Sequence, residues 1–189
     1  MFDPLRERWA IFISGQGSNM RSLLDLPQLL NCHLVVSSRA SATGVFYARR
    51  RGIPVELVKL PSDWSRLQQL LELYNIQKIF LLGFMKLLPA DFVKNWQHKI
   101  LNIHPSLLPA YAGLDSIARA YNDKESVGVT IHEVTEEMDA GPIITQRISV
   151  DKKSMPYLTL EESEFLTHTV EQRMLREFAQ KWMPVPTLL

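Results

Sequence analysis

An α/β fold is the architecture this sequence predicts: an open, twisted sheet, mostly parallel, with antiparallel strands near the C-terminal part and helices on both faces. Three observations carry that expectation. Short β-type apolar runs alternate with longer segments of helical spacing, as in successive βαβ units. After about residue 126 the character changes to apolar-polar alternation, the mark of antiparallel strands with one solvated face. A chain of 189 residues that is 46% hydrophobic is also of a size that buries one substantial core. The expected fold is therefore Rossmann-like and forms a single domain over 1–189, with an N-terminal extension at 1–8 and a loose tail at 184–189.

The elements follow in order. Residues 9–14 (WAIFIS) read as a buried strand, and 19–30 as a helix with Leu23, Leu24, Leu26, Leu29 and Leu30 inward. A strand at 33–37, a helix at 42–51 stopped by Gly52 and a strand at 54–60 repeat the unit. Ser62 and Asp63 supply a cap for a helix whose Leu67, Leu70, Leu71, Leu73 and Tyr74 form an apolar stripe. Strands at 78–82 and 99–104 flank a helix starting near Pro89, where proline suits a first turn. Strands at 126–134 and 143–150 and a final helix over 158–182 complete the chain.

Composition narrows the function classes. A formal charge of +1, with no basic cluster extending far beyond Arg49-Arg50-Arg51, gives no field to hold a phosphate backbone, so nucleic acid is not expected as a partner. The only cysteine, Cys32, forms no internal disulfide, and no Cys/His spacing resembles a zinc site. The first residues carry Asp3, Arg6, Glu7 and Arg8 where a signal peptide needs an apolar core, and no apolar run approaches the ~18 residues of a membrane span. A cytoplasmic protein acting on small molecules, without membrane attachment, is expected.

Ligands of open parallel sheets collect beyond the carboxyl ends of the strands, where strand order reverses. Three motifs fall there. The first strand runs into Ser14-Gly15-Gln16-Gly17-Ser18-Asn19, whose glycines permit a tight turn that presents backbone N–H groups and the Ser18 hydroxyl to a phosphate. A plain turn capped by Ser18 or Asn19 remains open as the alternative. Leu82-Gly83-Phe84-Met85-Lys86-Leu87-Leu88 is an apolar loop, suited either to a pocket wall or to core packing. Asn102 and His104 alternate on one face of the 99–104 strand, and Asp139 lies in an Asp-Ala-Gly-Pro turn that can bring a carboxylate to the imidazole. Amide, imidazole and carboxylate are the parts needed to move an acyl group onto an amine without a covalent intermediate. The other histidines, His33, His98, His132 and His168, read as surface or packing residues.

Together, the Ser14–Asn19 loop, Leu82-Gly-Phe-Met85, Leu101-Asn-Ile-His-Pro-Ser-Leu-Leu-Pro109 and Asp139-Ala-Gly-Pro142 resemble the folate-dependent phosphoribosylglycinamide formyltransferases over roughly residues 9–175. The resemblance implies formyl transfer from 10-formyltetrahydrofolate, a co-substrate, to the glycinamide amine in purine synthesis, with no metal, by a monomer or homodimer. It implies Asn102, His104 and Asp139 as the catalytic set and Gly17, Ser18 and Asn19 as the phosphate cradle. Met85, Lys86, Leu87, Val93, Met138 and Ala140 would line the folate pocket, and Glu171 would contact the glycinamide substrate. Lys86 stands where an arginine is usual, and Asp115 and Ile117 where histidines are frequent. Two alternatives are an NADP-dependent oxidoreductase, from the Gly-x-Gly turn and Ser37-Ser38-Arg39, and a non-catalytic paralogue that binds folate or a ribonucleotide.

Overall fold

The structure is a computed structural model that describes residues 7–26, 31–59 and 61–182. Its seven-stranded sheet comprises β1 (Trp9–Ile13), β2 (Cys32–Ser37), β3 (Val55–Leu57), β4 (Lys78–Leu81), β5 (Ile100–His104), β6 (Val127–Glu133) and β7 (Ile143–Val150). The helices are α1 (Ser18–Leu24), α2 (Thr43–Arg50), α3 (Trp64–Leu73), α4 (Ala90–Asn95), α5 (Ser116–Asn122) and α6 (Leu160–Trp182). Strand order is β3-β2-β1-β4-β5-β6-β7. The first five are parallel, and β6 and β7 are antiparallel.

Side-chain alternation along the strands divides the core in two. Trp9, Ile11 and Ile13 of β1 face α1 and α6, where they cluster with Met20, Leu23, Met174, Leu175 and Phe178. Ala10 and Phe12 face the other way, onto Leu67 and Leu71 of α3, Phe92 and Val93 of α4 and Trp96 at the C-cap of α4. Each fully buried aliphatic or aromatic side chain contributes roughly 1.5–3 kcal/mol, so both helical layers are held mainly by burial against this sheet. Strand order reverses beside β1, whose chain neighbour β2 lies on one side and β4 on the other. The loops after β1 and β4 meet at this reversal: Ser14 N–H donates to the Gly83 carbonyl at 3.0 Å, and Met85 N–H to Ser14 Oγ at 2.8 Å.

Several expectations need correction. The first helix ends at Leu24, not near 30, and Leu29 and Leu30 lie outside the described residues, as does the 184–189 tail. The third strand spans only 55–57. Asp63 does occupy the N-cap of α3, but its carboxylate turns back to the Lys59 N–H at 2.7 Å and caps no helical N–H. Leu73 is 75% exposed, because the stripe of α3 narrows to Leu67 and Leu71. From the 1–8 extension, Arg8 is tied down: its N–H bonds Gln77 and its side chain the Tyr74 carbonyl.

The largest departure concerns β6. It is buried on both faces rather than solvated on one. Val129 and Ile131 join the α1/α6 core, while the segment after β5 folds back over the opposite face. There Thr130 Oγ1 donates to the Ser106 carbonyl at 2.7 Å and accepts Leu108 N–H at 3.3 Å. A Cβ on Gly128 would lie 2.2 Å from Leu107 Cδ2, so only glycine admits that segment. Helix α5, not anticipated in the sequence, follows it and buries Ile117 and Ala120 against Val127 and Val150.

Candidate active site

Register builds the centre of the site. Asn102 of β5 pairs directly with His132 of β6, and His104 with Thr130, so the period of two puts all four side chains on one face. Asp139 arrives from an unexpected direction. Because β6 runs antiparallel to β5, the 134–142 loop leaves from the end of the sheet where β5 begins and climbs back along the face beside α4, where Lys94 and Glu136 pair at 3.7 Å. Gly141 makes this return possible: a Cβ there would stand 1.9 Å from the Glu133 carbonyl oxygen. Pro142 then accepts the Glu133 N–H at 2.9 Å.

Asp139 is the hub. Its Oδ1 lies 3.4 Å from Asn102 Nδ2 and 3.6 Å from His132 Nε2, and its Oδ2 accepts Gly113 N–H at 2.9 Å and lies 3.5 Å from His104 Nδ1. Burial opposes ionisation of the carboxyl, but the neighbouring His132 ring, the hydrogen bond from Gly113 N–H and the charge of His104 outweigh it and hold Asp139 at about 2. It is an anion at any physiological pH. Backbone strain marks the same place. Tyr111, Asp115 and Asp139 all take left-handed φ, of 57°, 53° and 53°, which aspartate tolerates but which costs a bulky residue such as Tyr111 roughly 1–2 kcal/mol.

His132 belongs to this centre and is no packing residue. It is 1% exposed, and its Nδ1 lies 2.8 Å from the Glu133 carbonyl, so Nδ1 carries the hydrogen. In the neutral ring Nε2 is then an acceptor, and Asn102 Nδ2 donates to it at 3.2 Å. Two acceptors, His132 and Asp139, thus orient the Asn102 amide. The signal for His132 lay in the antiparallel register, which places it opposite Asn102; its own sequence neighbourhood carried none. His104, 7% exposed, has Nε2 at 3.1 Å from the Tyr111 carbonyl. Both its nitrogens face acceptors, an arrangement in which the protonated ring is a double donor.

The other expected groups are placed as follows. Gly17, at φ 70°, is the N-cap of α1, and no side chain caps that helix. A Cβ on Gly17 would meet Gly44 Cα at 3.1 Å, so α2 closes down on this loop. Ser18 is exposed, and Asn19 Oδ1 is buried without a partner among the described residues. In the loop after β4, Phe84 turns inward onto Phe12, with ring centroids 5.3 Å apart, and Leu88 joins the core. Met85, Lys86 and Leu87 are left open, as are Met138 and Ala140 across the site. Val93 sits in the core beside Phe92 and Trp96. Glu171 is buried on α6 and bonded to His168 Nδ1 at 2.6 Å; that bond, against the cost of burial and with the charges of Glu171 and Glu164, raises the histidine pKa. His168 is therefore an ion-pair partner rather than a plain surface residue. Among the described residues no cluster of three His, Cys, Asp or Glu is suited to a metal, and no helix is long and apolar enough to cross a membrane.

The sequence profile of the formyl transferase family matches residues 7–178. The chain belongs to that family. It is 35% identical over 181 residues to the phosphoribosylglycinamide formyltransferase of Haemophilus influenzae, covering 87% of this chain and 82% of that protein. The human trifunctional purine biosynthetic protein adenosine-3 is 36% identical over 173 residues, but this chain spans only 17% of its length. The crystal structure of the Anaplasma phagocytophilum phosphoribosylglycinamide formyltransferase superposes with a TM-score of 0.86 at 34% identity, over 93% of this chain and 88% of that one. Family membership and the shared fold leave the oxidoreductase alternative without support.

Proposed function

We propose that this protein, acting as a single formyl transferase domain, moves a formyl group from 10-formyltetrahydrofolate to the amine of 5-phosphoribosylglycinamide. The observation that carries this reading is the convergence of Asn102, His104 and Asp139 within 3.5 Å of one another through Asp139. The Gly15–Asn19 turn takes the substrate phosphate on the open N–H groups of α1, and Asn19 Oδ1, an acceptor without a partner among the described residues, takes a hydroxyl of the bound ribose. Met85, Lys86, Leu87, Met138 and Ala140 receive the folate, with Val93 packed behind them. Lys86 offers a point charge where a guanidinium would grip a carboxylate bidentately. To Glu171 we assign, on the family resemblance, a contact with the glycinamide side of the substrate, made from its buried pair with His168.

A neutral amine is already a nucleophile, so alignment with the formyl carbon suffices to start the reaction. As the N–C bond forms, the carbonyl electrons move to oxygen, where the Asn102 amide and protonated His104 donate hydrogen bonds. Asn102's present hydrogen bond to Asp139, 3.4 Å, and His104's ion-pair contact with it, 3.5 Å, are long and readily redirected. Asp139, an anion, accepts the proton released by the attacking nitrogen, directly or through water. Collapse of the intermediate breaks the bond to the folate nitrogen, which leaves with a proton and gives tetrahydrofolate and the formylated amide. No step calls for a metal. The reaction is tested by incubating the purified protein with both substrates and following the folate product. Turnover supports the proposal, whereas tight binding of both ligands without turnover identifies a non-catalytic paralogue.

A further inference from the structure

Formyl transfer as proposed leaves several groups unused: the buried Cys32 thiol, the arginine-rich face around Tyr47, the His98–Glu133 pair, and the loop that carries Tyr111. The last touches the catalytic ring. The Tyr111 carbonyl oxygen stands 3.1 Å from His104 Nε2, and a carbonyl only accepts, so this contact keeps a hydrogen on Nε2. Nδ1, 3.5 Å from Asp139, is then the ring nitrogen turned towards the carboxylate.

The carbonyl stands there only because Tyr111 takes a φ of 57°, which bulky side chains avoid. Three contacts from α5 and its C-cap residue, Asp123, hold it. The Arg119 guanidinium lies over the Tyr111 ring, 5.8 Å from its centroid, and Arg119 Nη2 donates to the Ala112 carbonyl. Asp123 Oδ2 accepts the Tyr111 hydroxyl at 3.1 Å. Arg119 and Asp123 are four residues apart, on one helical face. The helix itself is anchored: Ser116 Oγ donates to the Pro105 carbonyl at 2.9 Å, one residue beyond His104, and Ile117 and Ala120 are buried with Tyr111 packed against them.

We propose that Arg119 and Asp123 are positioning residues which, through Tyr111, fix the proton of His104 on Nε2 and reserve Nδ1 for Asp139 and the reacting carbonyl. The kinetic side of this proposal rests on formyl transfer; the protonation side does not. The test compares the parent, Tyr111→Phe, Arg119→Lys and the double variant Arg119→Gln/Asp123→Ala, each with ¹⁵N-labelled histidine. His104→Ala assigns the ring signals. At a pH where the ring is neutral, the parent is expected to show His104 protonated at Nε2 alone, and the double variant a mixture of both tautomers. Its kcat is expected to fall about 10-fold, as when an orienting partner is lost, with both KM values within about twofold. Arg119→Lys keeps a cation over the ring and is expected to retain the parent tautomer. A lower melting temperature with unchanged ring signals in the double variant would overturn the proposal. The ring signals decide it even if the parent transfers no formyl group, so failure of the clamp and failure of the proposed activity are distinguishable.

Discussion

At the carboxyl end of β5 the polar groups are partnered: Asp139 gathers Asn102, His132, His104 and Gly113, and His104 reaches the Tyr111 carbonyl. At the start of α1, beyond β1, several are not, for the helix has no side-chain cap, Ser18 is exposed and Asn19 Oδ1 is buried without a partner among the described residues. The first cluster is organised before any ligand arrives, as donors aimed at developing charge need to be. The second is a cradle completed by what binds it. Damage to the first should therefore appear in kcat and damage to the second in KM.

The largest effect is expected from Asp139→Asn, which removes the anion at the hub while keeping its shape. Steady-state kinetics should show kcat lowered by about 100-fold or more, with KM little altered. A comparable rise in KM alone would erase the contrast between the clusters.

Acid unfolding comes next. The folded state holds the Asp139 carboxyl at about 2, against an ordinary value of 3.8. The ionised form is thus favoured by folding, and the resulting stability is fully present above about pH 5 and disappears as pH falls towards 2. Urea unfolding across that window should cost the parent about 2 kcal/mol more than Asp139→Asn. Equal pH dependence of the two proteins would show that the carboxylate is not held as described.

His132→Ala should lower kcat about 10-fold and stability by about 1–2 kcal/mol, since Asn102 loses an acceptor in a buried setting. The smallest effect belongs to the cradle. Ser18→Ala should raise KM for the phosphorylated substrate about fivefold, the worth of one hydrogen bond, and leave kcat within about twofold.

The two clusters also differ in how legible they were. Glycines at 15 and 17, the strand-to-helix change and the Asn102/His104 alternation are local signals, and the loops and strands they announced are present. His132 was missed because its role is set by cross-strand register, which one strand read alone does not reveal. Helix α5 was missed because its seven residues follow an irregular loop and are held by burial against β6 and β7 rather than by periodicity. Leu73 shows the converse: it lies about 200° round α3 from buried Leu71, so it stays in solvent while Leu71 and Tyr74 on either side of it pack on the core. The solvated face expected of β6 failed for a long-range reason too, since the covering segment at Leu107 and Leu108 comes from elsewhere in the chain.

The central claim is that Asn102, His104 and Asp139 act as one unit on a single carbonyl. A double-mutant cycle of His104→Ala and Asp139→Asn, read as single-turnover formyl transfer from 10-formyltetrahydrofolate to 5-phosphoribosylglycinamide, tests it most directly. An active parent, with a double variant little slower than either single variant, is the predicted result. Fully additive losses, or a parent that binds both substrates and forms no product, would contradict the account.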